Sequence, residues 1–370
     1  MSLHPPLLNP CALFQRSSSK QPKTTMAFSL TLFNPRHLSF PKTPTFSIPK
    51  HPTQRTQTLR CLPSSSFDLQ TYWSDLITLI DAELAAAIPL RYPEPIYAAM
   101  RHAVLAAPGA KRAAPVMCVA SCELFLAPRA AALPTACALE MAHAASLVHN
   151  DIPYIDDDPR RRGRPSTHSA FGTDLAILAG DALFPLGFRH IIHRTPPELV
   201  PPERLLRVVS EIARSVGAGG MALGQFLNLE ERAAPPGEEL VVLIQEKKFG
   251  EMAECSAACG GVIGGADDGE IEMLRRYGRA VGVLYQVVDD ILMQGNGSAN
   301  ARDNASYVKV FGVERAMEIA EGLRKTAKEA LRGFEKYGEE RVAPLYSFVD
   351  YAVERRFEVG ASASDANVVI

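Results

Sequence analysis

Two short stretches of the chain gather carboxylates in a way that suits a metal or a polyphosphate. The first runs Asn150-Asp151-Ile-Pro-Tyr-Ile-Asp156-Asp157-Asp158 and is followed at once by Arg160, Arg161, Arg162 and Arg164. The second is Gln286-Val-Val-Asp289-Asp290-Ile-Leu-Met293. Mg²⁺ takes oxygen ligands and typically bridges a few carboxylates to substrate phosphates. Arginine takes the remaining phosphate oxygens through bidentate bonds. A solvated charged loop is the ordinary fate of one such run. Two runs, each at the end of an apolar helix that has to be buried, point to a site.

The elements that carry these clusters read as helices. Trp73, Ile77, Ile80, Leu84 and Ile88 follow the spacing of one helix face. Pro134 to Val148 is Ala-rich, and Leu274 to Leu292 repeats apolar residues with the same period. Alternating Val-rich strands with turn dipeptides are absent. Breaks fall at Arg194-Thr-Pro-Pro, at Arg232-Ala-Ala-Pro-Pro-Gly and over Gly295 to Ser306, and no repeat of fixed period is found. The spacing predicts one all-α domain over residues 67–358, followed by a flexible tail over 359–370.

The 370 residues are 47% hydrophobic and 22% charged, which suits a globular protein with a sizeable core. The longest apolar candidate, Ala176 to Phe188, is interrupted by Asp181 and Pro185, so no transmembrane segment is expected. A net charge of -2 gives no case for nucleic-acid binding, and seven cysteines do not make a disulfide scaffold. The charge is unevenly spread. Residues 1–67 hold no Asp or Glu but eight Lys or Arg, leaving 31 basic against 41 acidic residues and a charge of -10 beyond them. A basic, acid-free, Ser-rich stretch has the composition of an organelle transit peptide, an ordinary disordered tail being the alternative. Its prolines disfavour the amphipathic helix of a mitochondrial presequence. The expectation is a disordered plastid transit peptide over residues 1–66, with the protein in the chloroplast.

From about Phe67 to Phe357 the chain resembles the trans-prenyl diphosphate synthases, especially those making geranylgeranyl diphosphate in plastids. The resemblance rests on Gly109-Ala-Lys111-Arg112-Ala-Ala-Pro115, Glu140-Met-Ala-His143, the first acidic cluster, Arg161-Arg162-Gly163-Arg164-Pro165, Leu178-Ala-Gly-Asp181-Ala-Leu, Gly224-Gln225 and the second cluster. It implies an isoprenoid-synthase-type helical bundle around a central cleft. In active members two aspartate-rich motifs hold Mg²⁺ on an allylic diphosphate. The metal helps it ionise, and the allylic cation is attacked by the double bond of isopentenyl diphosphate. Charge builds on the departing diphosphate, so metal and arginine act on the transition state.

The chain departs from that pattern at five places. Asn150 stands where the family's first motif begins with Asp, and an amide oxygen is a poorer metal ligand than a carboxylate. Met293 takes the last position of the second motif, one helical turn from Asp289, and Mg²⁺ has little use for sulfur. Ala114 replaces the arginine of Lys-Arg-x-Arg-Pro that binds isopentenyl diphosphate. Asn228 ends the Gly-Gln-x-x-Asp segment. The lysine-rich segment after the second motif shrinks to Gly295–Ser306, with no lysine before Lys309. No fully competent catalytic residue set is expected. The resemblance still assigns Lys111, Arg112, His143, Arg161, Arg162, Lys248 and Gln286 to diphosphate-binding positions. It leaves Asp151 with Asp156, and Asp289 with Asp290, as vestigial Mg²⁺ ligands. The alternative is that these basic residues only neutralise the aspartates across an interior cleft.

Cys118-Val-Ala-Ser-Cys122 and Cys255-Ser-Ala-Ala-Cys259 are pairs at helical i, i+4 spacing, so each pair shares one face. Three readings stay open: a four-thiolate zinc site, buried thiols acting as small apolar residues, and a partner-binding face. The third comes from resemblance. Paired Cys-x-x-x-Cys motifs mark the small subunits of plant heterodimeric geranyl(geranyl) diphosphate synthases, here of the synthase-recruiting, type II branch. The resemblance therefore implies a non-catalytic regulatory subunit that binds a geranylgeranyl diphosphate synthase large subunit, with Mg²⁺ and prenyl diphosphates in the complex. An active prenyltransferase and a pure recruiting adaptor are the alternatives.

Overall fold

The structure, a computed structural model, describes residues 67–105, 110–230, 237–295 and 306–355. The chain divides into Met1–Cys61, which lies outside the described residues, and Leu62–Ile370, which contains all of them. The expected transit segment over 1–66, the expected tail over 359–370 and the interior of Gly295–Ser306 likewise lie outside the described residues.

The architecture is all-α, as the periodicity predicts. In chain order come α1 (Leu69–Ala87), α2 (Glu94–Leu105), α3 (Ala113–Glu123) and α4 (Arg129–Asp151). A short ribbon of β1 (Arg160–Arg161) and β2 (Arg164–Pro165) precedes α5 (Thr167–Phe171), α6 (Thr173–Arg194), α7 (Pro202–Val216) and α8 (Met221–Glu230). Then α9 (Glu238–Gln245) passes through a π-helical turn, Glu246–Gly250, into α10 (Glu251–Gly264) and α11 (Asp268–Gly295). The last elements are α12 (Tyr307–Phe311), α13 (Val313–Ala330) and α14 (Glu339–Glu354).

In α1 the Asp68 carboxylate accepts the Thr71 amide at 3.2 Å, supplying the N-cap that an isolated helix start lacks. Trp73, Ile80, Leu84 and Ile88 are buried, Leu76 joins them, and Ile77 lies at the edge of the stripe. Each fully buried Leu or Ile is worth about 1.5–3 kcal/mol over an exposed one, so this face fixes the helix against the bundle. The acidic clusters are carried by α4 and α11. The first begins in the last turn of α4, and the second lies in the last turns of α11.

The sequence predicts no strand, yet Arg160 pairs with Pro165 and Arg161 with Arg164. The cause is local. Arg162 and Gly163 both take positive φ, 50° and 76°, closing a tight turn whose twist suits a two-residue ribbon. This turn folds Arg161 back towards the end of α4.

By length and composition α4 and α6 could each cross a membrane, a possibility the break at Asp181 and Pro185 had argued against for α6. α4 is an internal helix, with 78% of its apolar window buried in the chain. In α6 the figure is 39%, and Ile177, Leu178 and Ile192 are exposed.

The cysteines require a correction. Cys118, Cys122, Cys255 and Cys259 are all 0% exposed, so their sulfurs do not form a surface for a partner. They lie where α3 packs on α10, with the Cys255 and Cys259 sulfurs 3.8 Å apart. A Cβ on Gly260 would fall 2.2 Å from the Cys118 carbonyl oxygen, so the two backbones meet where a side chain is absent. Spacing reveals that each pair shares a helix face, but not which element covers that face. Burial pushes the Cys122 thiol up to about 12 and the Cys118 thiol well above its ordinary value. Burial thus favours the protonated thiol at Cys118 and Cys122, and all four side chains pack as small apolar groups.

Candidate functional site

Lys111, Arg112, His143, Arg162, Lys248 and Gln286 come from five separate parts of the chain and line one cavity of about 450 Å³. Lys111 and Arg112 enter α3, with Arg112 at its N-cap, and His143 lies on α4. Arg162 comes from the ribbon turn, Lys248 from the π turn and Gln286 from α11. Ala114 is also in the wall, so a methyl group stands where the resemblance implies a guanidinium. Trp73, Met117, Phe249, Met252, Phe348 and Tyr351 close the cavity with apolar surface. Arg161 is not in the lining; it turns to Asp151.

Packing explains the placement of Lys248. A Cβ on Gly224 would lie 2.8 Å from the Lys247 Cβ and 2.9 Å from the Lys248 amide nitrogen. Glycine there lets α8 rest on the π turn. The next residue, Gln225, donates from Nε2 to Asp156 Oδ1 at 3.1 Å, joining α8 to the first acidic cluster.

Much of the cationic charge is already paired. The Arg112 guanidinium is buried and donates from Nε to Asp81 Oδ1 at 2.8 Å, from Nη2 to the Val104 carbonyl at 2.7 Å, and from Nη1 to Glu140. Burial works to raise the Glu140 carboxyl, but the charge of Arg112 and the hydrogen bond it donates outweigh it and hold it below its ordinary value. Burial keeps the His143 imidazole below its ordinary value despite the pull of Glu140. Its Nδ1 is buried and has no hydrogen-bond partner among the described residues. Burial therefore disfavours a charged His143 ring, and one of its nitrogens is unused.

The aspartates are paired too. Arg161 Nε lies 3.1 Å from both oxygens of Asp151, and its Nη2 donates to Asp151 and, at 3.1 Å, to Asp158. On α11 the Asp289 carboxylate accepts from Arg355 Nη2 at 2.8 Å. The same nitrogen donates to the Tyr285 carbonyl at 2.8 Å, while the guanidinium carbon sits 3.4 Å from the Tyr285 ring centroid. Asp290 accepts from Gln286 Nε2 at 2.8 Å and from the Tyr307 amide at 3.1 Å. Burial raises Asp151 and Asp289 above the usual carboxylate range, with Arg161 and Arg355 opposing the shift. Asn228 is half-buried on α8, and Met293 is exposed at 49%.

Mg²⁺ needs several oxygens in a near-octahedral array. Among the described residues, no three His, Cys, Asp or Glu side chains gather into a group that could hold a metal. The carboxylates that remain are held by arginines, a glutamine and a backbone amide, and their neighbours are an amide at 150 and a thioether at 293. This donor set does not fit a resident Mg²⁺.

Sequence reasoning missed Arg355, Tyr285 and Asp81. Arg355 lies 66 residues from Asp289 and belongs to no motif, so no local signal marks it.

A helical bundle with a cationic cavity, aspartates at the ends of two of its helices, and this order of motifs is of the isoprenoid-synthase type. The Polyprenyl synthetase family model matches residues 94–332, and the chain belongs to that family. It is 56% identical over 297 residues to the chloroplastic heterodimeric geranylgeranyl pyrophosphate synthase small subunit of Arabidopsis thaliana, covering 80% of this chain and 86% of the relative. It is 39% identical over 310 residues to large subunit 1 of the heterodimeric enzyme from the same plant, covering 80% and 82%. Among solved structures it is similar to a farnesyl/geranylfarnesyl diphosphate (FPP/GFPP) synthase from Zymomonas mobilis, with a TM-score of 0.68 and 30% identity. That match covers 77% of this chain and 98% of the other.

Proposed function

We propose that this chain is a non-catalytic regulatory small subunit. It binds the large subunit of a plastid geranylgeranyl diphosphate synthase and alters the rate or product length of that enzyme in isoprenoid biosynthesis. The observation that carries the reading is the pairing of Asp151 with Arg161 and of Asp289 with Arg355. Ionisation of an allylic diphosphate needs concentrated positive charge on the leaving oxygens. Here the carboxylates that would gather metal for that task are closed by the chain's own guanidinium groups. The likeness to a small subunit at 56% identity supports the same reading.

The partner supplies Mg²⁺-dependent chemistry, and this chain supplies a surface. The half-covered apolar helix α6 supports assembly, because Ile177, Leu178 and Ile192 lie exposed along it. The cationic cavity supports weak retention of a prenyl diphosphate head. Chloroplast localisation is supported by the acid-free composition of residues 1–66 and by relatives described as chloroplastic.

The test is an assay of the full chain alone and with a large subunit, with products resolved by chain length. Alone, the chain shows no substantial elongation with Mg²⁺ and both substrates; in the complex, the rate or the product distribution changes. A turnover by the chain alone within about tenfold of an active homologue, a gap of about 1.4 kcal/mol in barrier, overturns the reading in favour of an active enzyme. A complex whose rate and products match those of the large subunit alone leaves only recruitment.

A further inference from the structure

A second cavity, of about 360 Å³, lies between the C-terminal parts of α1 and α6. It is remote from the acidic clusters. His149, beside the first cluster, lies 3.6 Å from Asp181, and Arg194 follows 13 residues later on α6, about 20 Å along the axis.

The lining carries three guanidinium groups, Arg91, Arg189 and Arg194, against one carboxylate, Glu83. Arg194 Nε approaches Glu83 Oε1 at 3.4 Å. Arg91 donates from Nε and Nη2 to the neutral Tyr97 hydroxyl at 2.8 and 2.6 Å, which satisfies hydrogen bonds but no charge. Arg189 is exposed, with no ion pair or hydrogen bond among the described residues. His190 is the buried wall of the cavity. Its side chain is 6% exposed, and Nε2 has no hydrogen-bond partner among the described residues, the nearest carboxylate oxygen being Glu83 Oε1 at 3.4 Å. His193 lines the opening, and Ala87, Pro89 and Leu186 give it an apolar side.

Three cations around one carboxylate leave an excess of positive charge, and a buried imidazole nitrogen offers a further polar contact. Guanidinium forks match phosphate oxygens in pairs. We propose that this cavity binds a phosphate or diphosphate group carried on a small apolar tail, at a site separate from the central cleft. The head lies among Arg189, Arg194 and His190, and the tail runs along Pro89 and Leu186.

The experiment follows the ring signals of His190 and His193 by NMR in the histidine-labelled full chain, assigned with His190→Gln and His193→Gln. The probes are inorganic diphosphate, geranyl diphosphate and vesicles of phosphatidylglycerol. Both rings shift on binding, and Arg189→Gln, an exposed position that leaves the fold intact, raises the apparent Kd on the order of tenfold. Lys248→Gln, in the central cleft, leaves that Kd unchanged. Tighter binding of geranyl diphosphate than of inorganic diphosphate assigns a free ligand, whereas a response to vesicles alone assigns a lipid headgroup. If neither ring moves with any probe, or Arg189→Gln binds like the parent, the proposal is overturned. If Lys248→Gln abolishes the shift, the response belongs to the central cleft and the proposal is equally overturned.

Discussion

Arg355, at the C-cap of the last helix, reaches across to Asp289 on α11 and places a guanidinium on the carboxylate that the second acidic motif would offer to a metal. The contact is supported from below by the Tyr285 ring, 3.4 Å from the guanidinium carbon, and from the side by the Tyr285 carbonyl. Both partners are largely withdrawn from solvent, with side chains 16% and 28% exposed. A partly buried pair of this kind has a measurable consequence for the fold.

Arg355→Met leaves Asp289 without its cation in a setting that already disfavours charge. We expect a loss of about 1–2 kcal/mol by urea denaturation. Asp289→Asn in the same background restores part of it, giving a coupling of about 0.5 kcal/mol or more in the double-mutant cycle. Equal stability of parent and Arg355→Met would show that the pair contributes nothing to folding.

Restoring acidic residues does not restore catalysis. Asn150→Asp with Met293→Asp adds two carboxylates, yet Asp151 and Asp289 remain paired with Arg161 and Arg355 and the methyl of Ala114 stays in the wall. The double variant, assayed alone with Mg²⁺ and both substrates, is expected to stay more than about tenfold below an active homologue, a barrier difference of about 1.4 kcal/mol or more. Recovery to that level would show the other departures to be harmless.

The close contact of α3 with α10 predicts that Gly260→Ala is more damaging than any one cysteine change. Its Cβ meets backbone at 2.2 Å, which no rotamer can relieve. Overpacking of this kind costs about 1–3 kcal/mol. Cys259→Ser buries a hydroxyl that can bond back to its own helix, so its cost falls at the low end of about 1–3 kcal/mol. Cys259→Ala keeps the face apolar and is expected to cost less than the Ser change. Because these residues are interior, stability of the chain alone changes first, and large-subunit binding changes only in step with it. Loss of binding with an undiminished melting temperature would return the thiols to a direct role.

Stability is expected to fall as pH drops below about 6.5. Burial holds His143 and His190 below their ordinary values, with Glu140 and Glu83 respectively opposing it. The unfolded chain takes up their protons near pH 6.5 and the folded chain only at lower pH, so the unfolded state binds more protons in between. Glu140, held below its ordinary value, adds a loss of the same sign at still lower pH. Asp151 and Asp289, both raised, act in the opposite sense and favour the folded chain as they protonate. Denaturation midpoints at about pH 7.5 and about pH 5.5 measure the histidine part, and His143→Gln should flatten the difference. A parent midpoint that does not move would mean these rings titrate normally.

Residues 1–66 fused to a fluorescent reporter are expected to direct it to plastids, since the stretch is basic, hydroxylated and acid-free. Cytosolic or mitochondrial fluorescence contradicts that assignment.

The helical class and the residues around the cleft were legible because they depend on local period and on motif order. Lys111, His143, Lys248 and Gln286 meet in one cavity although they span much of the chain. What could not be read was the direction in which a periodic face turns. Cys118 and Cys255 share the spacing of a contact face, yet the neighbour that covers them belongs to the same chain. The Arg160–Pro165 ribbon escaped notice because it hangs on the positive φ of Arg162, a residue type that seldom adopts it. The Arg355–Asp289 pair escaped because nothing in a lone arginine names a carboxylate so far back along the sequence.

The π-helical turn at Glu246–Gly250 lets the run from α9 to α10 hold one residue more than a regular helix would. Such a turn is what one extra residue makes of a continuous α-helix. Deleting a single residue from Lys247–Phe249 would let α9 and α10 fuse into one regular rod with their outer turns still in phase, because the wide turn is what absorbs that residue. The change would fall on the turn itself, which brings Lys248 into the cavity wall and forms the bed on which Gly224 rests. The extra residue therefore serves the cleft locally, at the turn that carries Lys248. Shortening that turn by one residue would alter the cleft only at Lys248 and Phe249, with the helices on either side left in place.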